Sequence, residues 1–277
     1  MKKNQPALAS IPSDYTYSTK PIEPATSDLE DDPIPIIDFS LLASGNPDQQ
    51  SKFIQDLGKA CEEWGGFMLI NHGVPENLMK AMIEACNDFF NLTEEEKREF
   101  AGKHVFDPIR CGTSLSGRVD KILLWRDFLK IIVHPEFNFP YKLTGFSELA
   151  LEFCKRIRIL MKLEAYKCST MASGINVNAL HNDFFINIAD QLEILSNGKY
   201  KSLVHRAVVN NKATRISIAI PNGPSLDTIV GPAVELVNSE THPAAYIPMK
   251  FKEYLEFLES RKIGGKFPLD HLKVQIV

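Results

Sequence analysis

The stretch Asn187-Ile188-Ala189-Asp190-Gln191-Leu192-Glu193-Ile194-Leu195-Ser196-Asn197-Gly198-Lys199-Tyr200-Lys201-Ser202-Leu203-Val204-His205-Arg206, followed by Arg215-Ile216-Ser217, decides the fold. Around it, the short runs Phe184 to Ile188, Tyr200 to Val204 and Arg215 to Ile220 are separated by the turn residues Ser196-Asn197-Gly198 and Asn210-Asn211, the pattern of successive strands. Residues two apart in a strand share a face, so the Arg215 guanidinium and the Ser217 hydroxyl can converge on one carboxylate. Ten positions before Arg215, His205 ends another strand-like run. A neutral imidazole facing a barrel interior is a ready ligand for Fe(II). Taken singly, an Arg-x-Ser is usually an ordinary strand and a lone His a satisfied structural residue; the combination is what carries information.

Outward from this stretch, a further strand is expected near Ile175 to Val177 and a closing helix from about Met249 to Arg261, with Phe251, Tyr254, Leu255 and Leu258 at helical spacing. Upstream, Phe146, Leu149, Phe153, Ile157, Leu160 and Met161 form one face of a long helix that reads from about Phe146 to Ala172. The N-terminal third reads as mixed helix and strand. Ile34 to Phe39 is an edge-strand profile. Phe53, Ile54, Leu57, Cys61 and Trp64 mark a helix ending at Gly65-Gly66, Phe67 to Ile70 a buried strand, and Pro75 the start of a second helix striped by Leu78, Met79, Met82, Ile83, Cys86 and Phe90. Thr93 with Glu96 predicts a capping box. Leu123 to Trp125 and Phe128 to Val133 are strand candidates before a Pro-rich loop at 135–140.

Composition narrows the function classes. The 277 residues are 44% hydrophobic and 24% charged, ample for a large core. A net charge of -4 argues against a nucleic-acid partner, which needs concentrated Lys and Arg. No apolar run reaches the roughly 20 residues of a membrane helix, and residues 1–20 lack the apolar core of a secretory signal, so a cytoplasmic protein without a membrane partner is expected. Five widely spaced cysteines without a CxxC read as reduced packing residues.

Together, residues 187–206 and Arg215-x-Ser217 resemble the C-terminal half of the plant soluble 2-oxoglutarate/Fe(II)-dependent dioxygenases, which hydroxylate or desaturate flavonoids, phytohormones and related phenolics. Pro33 to Phe39, Trp64-Gly65-Gly66-Phe67 and Ile70-Asn71-His72-Gly73-Val74 resemble the N-terminal region of the same family. The resemblance implies an incomplete double-stranded β-helix, jelly-roll or cupin-like, within a mixed α/β (α+β) chain. It implies Fe(II) and 2-oxoglutarate as cofactors and a small phenolic or hormone-like metabolite as substrate. His205 matches the distal iron ligand, and Arg215 and Ser217 match the pair that grips the far carboxylate of 2-oxoglutarate. His72 matches a structural position rather than a ligand, and Phe106, Trp125 and Phe128 fall where the family has pocket wall, although aromatics at such spacing are more often core.

The resemblance also exposes a gap. The family takes its other two iron ligands from an HxD pair on a strand that should follow the long helix, and the sequence resumes at Ile175-Asn176-Val177-Asn178, which resembles text downstream of that strand. Only 46 residues run from Ile175 to Ile220, room for about half of an eight-stranded barrel. His181-Asn182-Asp183 does read His-x-Asp, and its two side chains would share a face if the chain were extended. Its flanks match a family turn, however, and Asp183 stands only 22 positions from His205. Three readings follow: a family member inactivated by an internal deletion, an enzyme with a triad rebuilt from His181, Asp183 and His205, or a non-catalytic interaction protein using an exposed strand edge. The expected organisation is a flexible leader at 1–32, a dioxygenase-type N-terminal region at 33–133, linker and long helix at 134–174, a truncated oxygenase domain at 175–265 and a tail at 266–277.

Overall fold

The computed structural model describes residues 34–113, 126–163, 182–203, 205, 214–238, 240–260 and 268–274. Its centre is strand β2 (Gly66–Ile70), flanked on one side by parallel β1 (Ile36–Asp38) and on the other by antiparallel β5 (Phe184–Asn187). Phe67, Met68 and Leu69 of β2 are almost wholly buried, which a strand covered on both faces requires. Helices α1 (Ser40–Ala43) and α2 (Pro47–Glu63) pack beside it. α2 begins where Asn46 Oδ1 accepts the backbone N–H of Asp48 at 2.9 Å, with Pro47 at its first position. It ends at Gly65, whose φ of +66° suits a residue without a Cβ.

Two further helices follow, α3 (Glu76–Phe90) and α4 (Glu94–Arg98), and the Thr93–Glu96 capping box forms as expected. Helix α5 (Phe146–Leu163) lays Phe146, Ala150, Phe153, Ile157 and Leu160 against α3 and the main core; the part of the expected helix beyond residue 163 lies outside the described residues. The hairpin β3 (Ile109–Thr113) and β4 (Asp127–Ile131) closes this half; β3 went unread because Arg110 and Gly112 break its apolar alternation. The candidates at 123–125 and 175–177 lie outside the described residues.

The C-terminal half departs most from expectation. Asp190–Leu195, between two expected strands, forms helix α6, a helix of six residues being too short to display a 3.6-residue period. Tyr200 to Leu203 and Arg215 to Ile220 join no ladder among the described residues. Leu203 N–H does reach the Ile188 carbonyl oxygen at 3.2 Å, but that single bond makes no ladder. Strands β6 (Ile229–Val230) and β7 (Met249–Lys250), with helices α7 (Phe251–Ser260) and α8 (Pro268–Leu272), build a second core of Ile194, Val230, Tyr246, Tyr254, Leu269 and Leu272. The described strands thus form three small sheets, a mixed α/β arrangement with partial β structure. Among the described residues no helix is long and apolar enough to cross a membrane. One cysteine corrects the reduced set: Cys61, buried in α2, is disulfide-bonded, while Cys86, Cys111 and Cys154 are free. Spacing along the chain says nothing about which sulfurs approach in space.

Candidate functional site

The segment 214–220 alternates strictly: Arg215, Ser217 and Ala219 are exposed, while Ile216, Ile218 and Ile220 are half-buried and pack on the main core. That is the exposure pattern of a strand with one face on a core, so Arg215 and Ser217 share a face, and that face is open to solvent. His205 is also exposed. Its Nδ1 lies 3.0 Å from the Leu203 carbonyl oxygen, which can only accept, so Nδ1 carries the proton and Nε2 keeps its lone pair. One imidazole nitrogen is therefore available as a ligand.

His181 lies outside the described residues, but its neighbour Asn182 stands at φ +65°. A left-handed residue turns the chain immediately before Asp183. β5 begins only at Phe184, after this turn. His72 has both ring nitrogens occupied. Val74 N–H donates to Nδ1 at 3.1 Å, and Nε2 donates to the Asn182 carbonyl oxygen at 2.8 Å, with Phe184 against the ring. It pins the turn before β5 to the loop after β2, a structural role in keeping with its sequence position.

The donor set can be tested against iron directly. Ferrous iron in this fold needs three protein donors on one face. Among the described residues no group of three or more His, Cys, Asp or Glu side chains stands close enough together to hold a metal ion. The described residues by themselves do not fit the metal, and no catalytic step is derived through it. Arg215 and Ser217 share one exposed face, and no metal-binding group stands beside them among the described residues.

Sequence reasoning missed the residues that organise this half of the molecule. α6 carries buried Glu193, whose carboxylate accepts Tyr246 O–H at 2.5 Å and the Ser202 backbone N–H at 2.5 Å. Tyr254 O–H donates to Asp190, at the first turn of the same helix. Asn197 follows at φ +54° and ties in the downstream loop, donating to the Pro243 carbonyl at 3.1 Å and accepting from Ala245 N–H at 2.7 Å. The Asp190 to Gly198 stretch is therefore an anchor for the C-terminal elements, and no local signal marks its partners because they lie 46 to 64 positions away. A second link joins the halves: Arg110 of β3 pairs with Glu259 of α7 at 2.6 Å. Its guanidinium also lies 5.8 Å from the centre of the Phe128 ring, and Lys252 stands over Phe106 at 5.7 Å. These contacts give both aromatics a packing role; Trp125 lies outside the described residues.

Comparison with known proteins agrees with this architecture. Residues 34–147 match the model of the non-haem dioxygenase N-terminal region described from morphine synthesis, and residues 160–224 match the 2OG-Fe(II) oxygenase superfamily. The rice (Oryza sativa subsp. japonica) protein 2-oxoglutarate-dependent dioxygenase 19 is 32% identical over 305 residues, covering 87% of this chain and 90% of its own length. Protein DMR6-LIKE OXYGENASE 1 of Arabidopsis thaliana is 30% identical over 332 residues, covering 95% and 93%. The crystal structure of JOX2 in complex with 2OG, Fe and JA superposes with a TM-score of 0.74 at 24% identity, covering 98% of this chain and 96% of that one. Its fold, the double-stranded β-helix of 2OG-Fe(II) oxygenases, is the fold this chain shares in part, and Fe(II) and 2-oxoglutarate are the cofactors of the group. With both family models placed in order and relatives matched over nearly their whole length, the chain belongs to the plant-type 2-oxoglutarate/Fe(II)-dependent dioxygenase family.

Proposed function

We propose that this chain is a catalytically silent form of a dioxygenase that acts on a small phenolic or hormone-like metabolite, with His205 as the surviving iron-ligand position and Arg215 and Ser217 as the surviving 2-oxoglutarate carboxylate grip. The observation that carries the reading is the solvent exposure of His205, Arg215 and Ser217 together, where a working site would enclose them. Two facts support an internal deletion as the origin. The match to the Arabidopsis relative spans 332 positions although the chain has 277 residues, so dozens of positions within the matched span have no residue of this chain opposite them. Only 18 residues join Leu163 at the end of α5 to Asn182 before β5, too few for the several strands with turns, each about 8–12 residues, that a closed barrel needs there.

On this reading the N-terminal region spans 33–133, linker and helix 134–174 and the shortened oxygenase domain 175–265, in a cytoplasmic protein. Small-molecule recognition is the inherited role; JOX2, the neighbour of like fold, is bound to JA. The test is turnover: purified chain incubated with Fe(II), ascorbate and 2-oxoglutarate, with succinate measured. No succinate above the protein-free control is expected, and none of the charge-transfer absorbance that 2-oxoglutarate gives on protein-bound Fe(II) under anaerobic conditions. Stoichiometric succinate with that absorbance would overturn the proposal.

A further inference from the structure

The sequence contains the dipeptide Asn-Gly twice, at Asn197-Gly198 and Asn222-Gly223, and the fold treats the two copies in opposite ways. An asparagine before a glycine is self-reactive, because no Cβ on the glycine shields its amide nitrogen from the carboxamide carbon of the asparagine. At Asn197 both reacting groups are occupied. The carboxamide donates to the Pro243 carbonyl at 3.1 Å and accepts from Ala245 N–H at 2.7 Å, while the nucleophile, Gly198 N–H, is donated to the Glu193 carbonyl at 2.9 Å. Asn222 and Gly223 are instead both exposed, in a loop without regular structure. That loop is also a junction between the two cores. Ile220 packs on the main core, whereas Gly223 lies against Phe251 of the second, so close that a Cβ added there would stand 2.6 Å from a ring carbon. Beyond Gly223 the chain is tied to the start of α7: Phe251 N–H donates to the Thr228 carbonyl and Lys252 N–H to the Leu226 carbonyl, each at 2.9 Å. Packing therefore demands glycine after the one Asn of the two that is open to solvent.

We propose that Asn222 is a site of spontaneous deamidation and isoaspartate formation, and that the fold holds Asn197 inert. The Gly223 amide gives its proton to hydroxide, and its nitrogen forms a bond to Asn222 Cγ. The Cγ–N bond of the carboxamide breaks, and the leaving nitrogen takes up a proton and departs as ammonia, which leaves a cyclic imide. Water then opens the imide at either carbonyl, so the net change is one water in and one ammonia out, with nothing oxidised or reduced. Opening at Cγ yields aspartate on an unaltered backbone. Opening at the main-chain carbonyl yields isoaspartate, in which the chain runs through Cβ and Cγ and is one atom longer. Between Ile220 and Gly223 that extra atom has consequences: Gly223 has no room for a methyl group against Phe251, so the isoaspartyl chain displaces it from the ring and loosens the second core.

The two copies of the dipeptide serve as each other's control. The full chain is aged in mildly alkaline buffer, and peptide mapping by mass spectrometry follows the exchange of amide nitrogen for oxygen at each asparagine, with electron-transfer fragmentation separating isoaspartate from aspartate. Asn197 reacts only when its anchor opens locally, so in the native chain Asn222 should be modified at least about tenfold faster. In urea the anchor is undone and the two sites should react at comparable rates. Asn222→Gln, exposed and unable to form the five-membered imide, should abolish the reaction at that position. Aged wild-type protein should melt a few degrees below aged Asn222→Gln, whereas freshly made Asn222→Asp, whose backbone path is normal, should melt with the unaged wild type. Equal modification of the two asparagines in the native chain, an unmodified Asn222 in protein whose unfolded form reacts, or an aged wild type no less stable than aged Asn222→Gln would each overturn the proposal. None of these readouts involves succinate, so they stand apart from the test of the silent-enzyme reading.

Discussion

A buried carboxylate is tolerable only when its oxygens are used, and Glu193 meets this condition through Tyr246 O–H, the Ser202 N–H and Lys201 at 3.6 Å. Burial and the Glu193 charge together push the Tyr246 phenol well above its ordinary range. Tyr246→Phe should therefore cost about 2 kcal/mol at neutral pH, the range of a hydrogen bond to a charged partner, read as a lower urea midpoint. The pH dependence has a definite sign. An unfolded tyrosine ionises near pH ~10 and the native one later, so its contribution is complete below that value and is lost as pH rises above it. The wild-type protein should lose stability more steeply than the Phe variant on the alkaline side. Gln191, on the same helix, is the contrast: both amide atoms are buried without a partner among the described residues, a burden of about 1–3 kcal/mol that Glu193 avoids.

At the scale of elements, the β3–β4 hairpin sets Arg110 directly opposite Lys130, two cations as cross-strand neighbours. Like charges so placed repel, and burial together with Arg110 holds the Lys130 amine below its ordinary value. Glu259, reaching in from α7, is what makes the pair tolerable: it bonds Arg110 and its charge favours protonated Lys130. Glu259→Gln keeps the shape and removes the charge, so it should cost roughly 2–3 kcal/mol, below the full figure for a buried pair because Glu259 is partly exposed, and should loosen α7 from the hairpin. Hydrogen exchange on α7 amides would report that loosening, and unchanged protection would refute it. This contact also shows where sequence reading stops. Helices α2, α3 and α5 were legible because each is long enough to repeat an apolar stripe, and β2 because its run is fully buried. The Arg215–Ser217 pair was legible because residues two apart in a strand must share a face. The short α6 and the partners of Glu193, Asp190 and Arg110 were not, because those contacts form 53, 64 and 149 positions apart and leave no local trace.

For the whole molecule, the two apolar cores and the open segment between them make ligand linkage the decisive measurement. A ligand that binds only the native state raises stability by RT ln(1 + [L]/Kd), about 2.7 kcal/mol at a hundredfold excess over Kd, which in a chain of this size moves the melting temperature by several degrees. A complete oxygenase site supplied with a redox-inert divalent ion such as Mn(II) and with 2-oxoglutarate should show that shift, since metal and cosubstrate bind together. On the proposed reading Arg215 and Ser217 would hold a carboxylate from an exposed face, where an ion pair is worth at most about 1 kcal/mol. With no metal-binding group among the described residues, that reading has nothing to add to the grip. The melting temperature should accordingly stay within about a degree when Mn(II) and 2-oxoglutarate are added together, and it should respond no more to 2-oxoglutarate than to glutarate, which lacks the keto oxygen a metal would chelate. A shift of several degrees that requires both metal and keto acid would mean that three donors do assemble in this polypeptide.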